Sequence, residues 1–175
     1  PDPVATAHGA RVLDRIRADI AAAGGAITFA RFMELALYAP GLGYYRAGAR
    51  KFGPGGDFVT APELSPLFSR CLARQCREIL DRVGGGEILE LGAGTGVMAA
   101  DILRELRALD ALPERYAILE LSGDLRDRQR QTLAERAPDL LERVVWLETL
   151  PEAGLRGAVI GNEVLDALPV ERFRV

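Results

Sequence analysis

The spacing of apolar positions along the chain changes at the glycine run that begins with Gly84. Before it, apolar residues such as Ile16 and Ile20 recur at the spacing of amphipathic helices. After it, short continuous apolar runs alternate with stretches of helical spacing, which is typical of strands and helices in turn. We therefore predict two domains: a helical N-terminal segment over residues 1–83 and an α/β core over residues 84–175.

Four strands are predicted in the second domain, because each run is short and apolar nearly throughout, as in sheets covered on both faces. Strands that alternate with helices imply right-handed βαβ crossovers and hence a parallel sheet. The predicted strands are Glu87–Leu91, Tyr116–Leu121, Arg143–Leu147 and Gly157–Gly161. The helices between them are predicted at Val97–Leu109 and from Ser122 or Asp124 to about Ala137.

Two helices of the first domain carry capping signals. Thr28 precedes one apolar stripe, and Ser65 precedes another that has Pro66 in its first turn. The long segment between them is rich in glycine and aromatic residues, and its part from Phe52 to Pro62 is predicted to be either a lid or an ordinary surface loop. The apolar side of the helix after Ser65 is expected to be buried and comprises Phe68, Leu72, Cys76 and Ile79.

The strongest local signal is E-L-G-A-G-T-G, in which a strand runs into a glycine turn and then a helix. Gly92, Gly94 and Gly96 lack a Cβ, so a ligand can approach the backbone and the free N–H groups of the helix start. A dinucleotide fingerprint needs glycine or alanine where Val97 stands, and no Walker lysine follows. Glu90 is costly at the end of a buried strand unless a polar partner, such as a cationic ligand, receives it.

An acidic residue stands at the end of the second predicted strand. Glu120 follows Glu90 by 30 positions, and a carboxylate there can accept both ribose hydroxyls of a nucleoside. The glycine turn and Glu120 together favour nucleoside binding. The alternative is a glycine turn and a solvated glutamate with no ligand.

A third polar group follows the fourth predicted strand. Asn162, Glu163 and Asp166 are expected at the same rim of the sheet as the glycine turn, where they can face the reacting end of a ligand. Alternatively, Asn162 and Asp166 cap a turn before Pro169. Trp146, near the end of the third strand, either flanks an adenine or belongs to the ordinary core.

Composition narrows the possible functions. The chain is 49% hydrophobic and 27% charged with a net charge of −3, so we expect neither nonspecific nucleic-acid binding nor a membrane partner. A single histidine and two cysteines spaced unlike CxxC motifs argue against a histidine triad or a metal site, and both cysteines are interpreted as core residues. The near absence of lysine suggests a GC-rich bacterial gene, which favours a cytoplasmic location.

Three longer strings, together with the glycine turn and Glu120, resemble one family. They are F-M-E-L-A-L-Y-A-P-G-L-G-Y-Y (32–45), G-D-F-V-T-A-P-E-L-S-P-L-F (56–68) and N-E-V-L-D-A-L-P-V (162–170). In combination they are similar to the MidA family of class I S-adenosylmethionine-dependent methyltransferases. The resemblance extends from about Gly25 to the end of the chain, with departures at Ser69 and Gly123, where the family has glycine and proline.

The resemblance implies a Rossmann-like parallel sheet with strand order 3-2-1-4 and S-adenosylmethionine as the cofactor. Residues are assigned to cofactor binding where they match the family's motifs, and Glu163 and Asp166 are assigned catalytic roles as orienters of the substrate. The cofactor-binding set is Glu90, Gly92, Gly94, Gly96, Glu120, Asp57, Thr60 and Asn162. Because the family runs to about twice this length, we expect that the C-terminal part of the sheet is missing.

The family's mitochondrial member implies a protein arginine as the substrate. Methylation of a small molecule or of another side chain is an alternative. A protein that binds the cofactor but acts without catalysis, as an assembly factor, is another. The sequence leaves the oligomeric state open.

Overall fold

The second half of the chain folds around a four-stranded sheet. Its strands are β1 (Glu87–Leu91), β2 (Arg115–Leu119), β3 (Val144–Leu147) and β4 (Gly157–Gly161). The computed structural model describes residues 3–47 and 59–174. The sheet order is β3-β2-β1-β4, and every pairing is parallel. The predicted α/β class and strand order are therefore confirmed.

Six α-helices accompany the sheet within the described residues. They are α1 (Pro3–Ala22), α2 (Phe29–Tyr38), α3 (Ala61–Leu64), α4 (Pro66–Val83), α5 (Val97–Ala108) and α6 (Gly123–Arg136). The predicted N-caps are confirmed: the side-chain oxygens of Thr28, Ser65 and Ser122 each accept a backbone N–H of the first turn. Short 3₁₀ turns at Tyr44–Arg46 and Pro138–Arg143 were not predicted, whereas a third at Leu165–Ala167 agrees with the alternative of a turn before Pro169.

The chain divides into two compact units. One comprises Pro1–Ala49 and Glu163–Val175, and the other comprises Arg50–Asn162. The first contains α1 and α2, and the second contains the sheet with α3 to α6. The domain division at residue 83, predicted from sequence, stays a prediction.

The core of the second unit is built around α5. Ala99, Ile102, Leu103 and Leu106 are fully buried in this helix, and Tyr116 of β2 belongs to the same cluster. Burying each large side chain stabilises the fold by about 1.5–3 kcal/mol. The glycine turn that precedes α5 therefore leads into a helix whose core-facing side chains are fully buried.

The buried face of α4 differs from the predicted one. Phe68 and Ile79 remain about 40% exposed, and Cys71 is exposed, so the predicted burial of these three residues is wrong. The helix packs against α5, and small residues at its interface allow close approach. The buried face comprises Ser69, Ala73, Cys76 and Leu80.

The second strand ends earlier than predicted. It stops at Leu119 instead of Leu121, because the side chain of Glu120 accepts the backbone N–H of Ser122 at 2.9 Å and the chain turns into α6. Within residues 3–47 and 59–174, none of the helices is both long enough and apolar enough to cross a bilayer.

Candidate functional site

Parallel register brings the carboxyl ends of all four strands to one edge of the sheet. Leu91 pairs with Leu119 on one side and Gly161 on the other, and Leu119 pairs with Leu147. The residues that follow these ends therefore share one rim, which is where parallel sheets bind ligands. The glycine turn, Glu120 and Asn162 all lie there, within the second unit.

The glycine turn needs its glycines for two different reasons. Gly92, Gly94 and Gly96 all have positive φ, between 54° and 83°, which L-residues rarely adopt. A Cβ built on Gly94 would meet nothing within 4 Å, so the turn has open space at that point. A Cβ on Gly96 would lie 3.0 Å from the Cα of Gln129, so Gly96 is required for the close approach of α6.

Glu120 is held at the rim as a buried carboxylate. It is 8% exposed; Oε1 accepts the N–H of Ser122 at 2.9 Å, and Oε2 accepts Nε2 of Gln129 at 3.2 Å. Burial raises the pKa of Glu120, while these hydrogen bonds and the positive charge of Arg126 oppose the rise. These two hydrogen bonds occupy two of the roughly four acceptor positions of the carboxylate, which leaves acceptor capacity for ribose hydroxyls.

Glu90 lies in β1 and is completely buried. Its Oε2 accepts the hydroxyl of Tyr116 at 2.6 Å, whereas Oε1 has no hydrogen-bond partner among the described residues. Burial raises the pKa of Glu90 to about 7, and the Tyr116 hydrogen bond offsets this only in part. The polar partner that the sequence required is therefore a tyrosine from the neighbouring strand, and a direct cofactor contact by Glu90 stays a prediction.

The sequence prediction missed Gln129, which lies in α6 and is 0% exposed. Its Nε2 donates to the carbonyl of Gly94 at 3.1 Å as well as to Glu120. Its Oε1 accepts Nε1–H of Trp146 at 2.9 Å. One signal in the sequence pointed to it: Gln129 stands four residues after Leu125 and four before Leu133, in line with the two leucines of α6.

Trp146 is tied into this network and is partly buried. Its indole N–H is used by Gln129, and the guanidinium of Arg130 lies 4.5 Å from the ring centroid. It packs against the core cluster, which agrees with the core alternative. Glu148, just beyond β3, forms an ion pair with Arg126 at 2.6 Å.

The segment before α4 is attached to the glycine turn. The hydroxyl of Thr95, 4% exposed, donates to Oε1 of Glu63 in α3. Thr60 stands at the N-cap of the same helix, and its carbonyl accepts the N–H of Glu63 at 2.9 Å. Asp57 and residues 52–58 of the predicted lid lie outside the described residues.

The two residues assigned to catalysis lie in the first unit. Glu163 and Asp166 are exposed, and Glu163 has a φ of 53°, an uncommon value for a residue with a Cβ. The Tyr38 hydroxyl donates to the carbonyl of Ala167 at 2.8 Å, and the Tyr38 and Tyr45 rings stack 5.5 Å apart. Burial and the negative charge of Asp166 raise the pKa of Tyr45.

The geometry at the rim fits a nucleoside cofactor. An open backbone turn with free space at Gly94 adjoins a buried carboxylate with spare acceptor capacity at Glu120. Across residues 3–47 and 59–174, no cluster of three or more histidine, cysteine or acidic side chains is arranged to hold a metal ion.

Comparison with known proteins gives consistent matches. A family model of S-adenosyl-L-methionine-dependent methyltransferases, Methyltransf_28, matches residues 71–175. A crystal structure from Burkholderia thailandensis, bound to S-adenosyl-homocysteine, superposes with a TM-score of 0.90 at 54% identity, covering 97% of this chain and 44% of that one.

Curated relatives are more distant in sequence. The mitochondrial protein arginine methyltransferase NDUFAF7 of Mus musculus is 30% identical over 176 residues, and that of Xenopus laevis is 34% identical over 176 residues. Each alignment covers 86% of this chain and 40% of the relative. The chain thus spans less than half the length of these curated relatives. With the family model covering more than half of its residues, the chain belongs to the MidA family of class I S-adenosyl-L-methionine-dependent methyltransferases.

Proposed function

We propose that this protein transfers methyl groups from S-adenosyl-L-methionine to arginine side chains of another protein. The observation that carries the cofactor part is the combination, at one rim, of the open turn at Gly94 and the buried carboxylate of Glu120. The Burkholderia thailandensis protein, bound to S-adenosyl-homocysteine, supports the same assignment at 54% identity. Family membership supports the reaction class.

In this proposal the chain binds the cofactor through its backbone and two carboxylate oxygens. Glu120 accepts the two ribose hydroxyls, and the backbone at Gly92–Gly96 lies against the nucleoside without a Cβ in the way. Asp57, Thr60 and Asn162 complete the proposed cofactor set, on the basis of their matches to the family's motifs. None of these contacts requires a metal ion.

The proposed chemistry is a displacement that needs alignment more than acid or base catalysis. S-adenosylmethionine, when bound, supplies a methyl group on a sulfonium whose departure leaves a neutral thioether. A guanidinium nitrogen of the substrate forms the new N–C bond and loses one proton to solvent. The chain's own contribution is to hold that nitrogen in line, which can supply much of the rate.

Glu163 and Asp166 are the residues proposed to orient the guanidinium. Two carboxylates can hold its plane through paired charge-assisted hydrogen bonds. The positive φ of Glu163 supports a functional role, because such a conformation is held only when the surrounding structure imposes it. Tyr38 holds the segment after Asp166 through the carbonyl of Ala167.

The arginine substrate rests on the relatives named protein arginine methyltransferases, at 28–34% identity. Two alternatives stay open: methylation of a small molecule or another side chain, and a non-catalytic assembly factor that only binds the cofactor. A bacterial, cytoplasmic location stays a prediction.

Calorimetry tests the cofactor. S-adenosyl-homocysteine and S-adenosylmethionine are expected to bind the purified protein, and NAD is expected to bind far more weakly. Glu120→Gln should weaken S-adenosyl-homocysteine binding, since a charged acceptor of two hydroxyls is lost. Exposed Glu171 offers a matched control, and Glu171→Gln should leave the affinity unchanged. Tighter binding of NAD would overturn the cofactor assignment.

A second experiment identifies the acceptor. Lysate treated with the protein and S-adenosylmethionine carrying a deuterated methyl group is analysed by mass spectrometry. Labelled methylarginine in a protein supports the proposal. Label on another side chain or on a small molecule would show that the acceptor is not arginine. Cofactor binding without any labelled product favours the assembly factor.

A further inference from the structure

Gln129 carries a hydrogen-bond network that the proposed function leaves unexplained. Among the residues of α6 only Gln129 and Leu133 are buried, so one of two buried side chains on this helix is an amide. An apolar residue at that position would avoid the need for three hydrogen-bond partners. All three partners nevertheless are present: Gly94, Glu120 and Trp146.

The partners determine which way the amide points. The Trp146 indole can only donate, so it requires Oε1 of Gln129 on its side. The carbonyl of Gly94 and the Oε2 atom of Glu120 can only accept from Nε2, which has two hydrogens to donate. If the amide were rotated by 180°, Nε2–H would face the indole N–H and Oε1 would face two acceptor oxygens. Only the observed orientation therefore satisfies all three hydrogen bonds.

Two of these partners are the groups proposed to touch the cofactor. Gln129 links the turn at Gly94 to the carboxylate of Glu120, which also accepts the N–H of Ser122. The close approach of Gly96 to the Gln129 backbone keeps α6 in register with the turn. The Gln129 hydrogen bond also opposes the rise in the pKa of Glu120 that burial causes, which favours the ionised acceptor.

We propose that Gln129 is a positioning residue for the cofactor site: it fixes the carboxylate of Glu120 and the backbone of Gly94 relative to each other, so that ribose and turn contacts form together. Trp146 supports it by fixing the amide orientation. This inference rests on the proposed cofactor binding, because the position of the Glu120 carboxylate affects cofactor affinity only if that carboxylate binds the ribose.

Gln129→Glu is the sharpest test, because it keeps the shape and replaces the donor with an acceptor. The new carboxylate would face Glu120 and the Gly94 carbonyl, so S-adenosyl-homocysteine is expected to bind about 100-fold more weakly at pH 8. Two adjacent carboxylates share one proton as the pH falls, which restores one hydrogen bond. The ratio of Kd values, variant over wild type, should therefore fall to about 10 at pH 6.

Matched variants separate positioning from general loss of structure. Gln131 lies on the same helix but is exposed and bonded to Glu135, so Gln131→Glu makes the same chemical change away from the network and should leave the Kd unchanged at both pH values. Gln129→Met keeps the length, removes all three hydrogen bonds and should weaken binding about 10-fold at both pH values. If Gln129→Glu fails to fold, Gln129→Met still tests whether the three hydrogen bonds contribute to cofactor affinity.

The outcomes distinguish this inference from the proposal beneath it. If wild type does not bind S-adenosyl-homocysteine, the proposed function fails. If wild type binds and a folded Gln129→Glu or Gln129→Met protein binds with the wild-type Kd at pH 8, the positioning role is wrong. If Gln129→Glu loses the same factor in affinity at pH 8 and at pH 6, the positioning role is also wrong, since a loss independent of pH indicates a merely structural defect.

Discussion

Gly94→Ala tests directly whether the glycine turn contacts a ligand. The added methyl group meets no protein atom within 4 Å, so the fold has room for it. The φ of 54° nevertheless costs a residue with a Cβ about 1–2 kcal/mol. Alanine has less conformational entropy than glycine in the unfolded chain, which offsets about 0.4–1 kcal/mol of that cost. A net loss of about 1 kcal/mol is expected, or about 2–4 °C in Tm for a chain of this size.

Gly84→Ala provides a control with the same backbone cost. Gly84 ends α4 with a φ of 73°, and its added Cβ also meets nothing within 4 Å. It precedes the amino end of β1, whereas Gly94 follows the carboxyl end of that strand. The two variants should therefore lose similar stability, and only Gly94→Ala should lose cofactor affinity.

The expected loss of affinity follows from forcing a methyl group into a filled site. Overpacking typically costs about 1–3 kcal/mol, which corresponds to roughly a 5- to 150-fold rise in Kd for S-adenosyl-homocysteine. Calorimetry measures the Kd, and differential scanning measures the Tm of each variant without ligand. If Gly94→Ala binds as tightly as Gly84→Ala, the ligand does not approach this turn and the site assignment is wrong.

Three further predictions concern other residues. Burial raises the pKa of Glu90 to about 7 from an ordinary 4.5, so the folded state keeps a proton that the unfolded state releases. The free energy of unfolding should fall by about 3 kcal/mol as the pH rises from about 4.5 to about 7, and urea unfolding at several pH values measures it. Glu90→Gln should not show this fall. If the free energy of unfolding depends on pH in the same way in both proteins, the prediction is wrong. Gly96→Ala should lower Tm more than Gly94→Ala, because its Cβ would lie 3.0 Å from the Cα of Gln129, and an equal Tm would contradict that packing. Glu163→Gln should lower turnover about 100-fold or more with an unchanged cofactor Kd, since a charged partner of the substrate is lost; weakened cofactor binding at preserved turnover would move Glu163 to the cofactor site.

Local features were predictable because neighbouring residues determine them. The bounds of β1 and β4 are those predicted, and Thr28, Ser65 and Ser122 cap the helices expected of them. Serine and threonine oxygens reach N–H groups two or three residues away, so the sequence contains both partners in one short window.

The burial of α4 shows that the periodicity of apolar residues does not by itself identify the buried face of a helix. The apolar pattern pointed to Phe68 and Ile79, but the packing partner α5 selects the adjacent face with Ser69 and Ala73. A helix buries the side that fits its neighbour, and small residues that allow close approach carry little hydrophobic signal.

The residues of the site were predictable one by one, but their partners were not. The turn glycines and Glu120 stand out in the sequence, because each follows a strand of recognisable composition. The partner of Glu90, Tyr116, lies 26 residues away, and Gln129 meets Gly94 across 35. Contacts of that separation depend on strand register and on the docking of α6. Only the tertiary structure could therefore show that a buried tyrosine accommodates Glu90 and that one amide joins the turn to the acid.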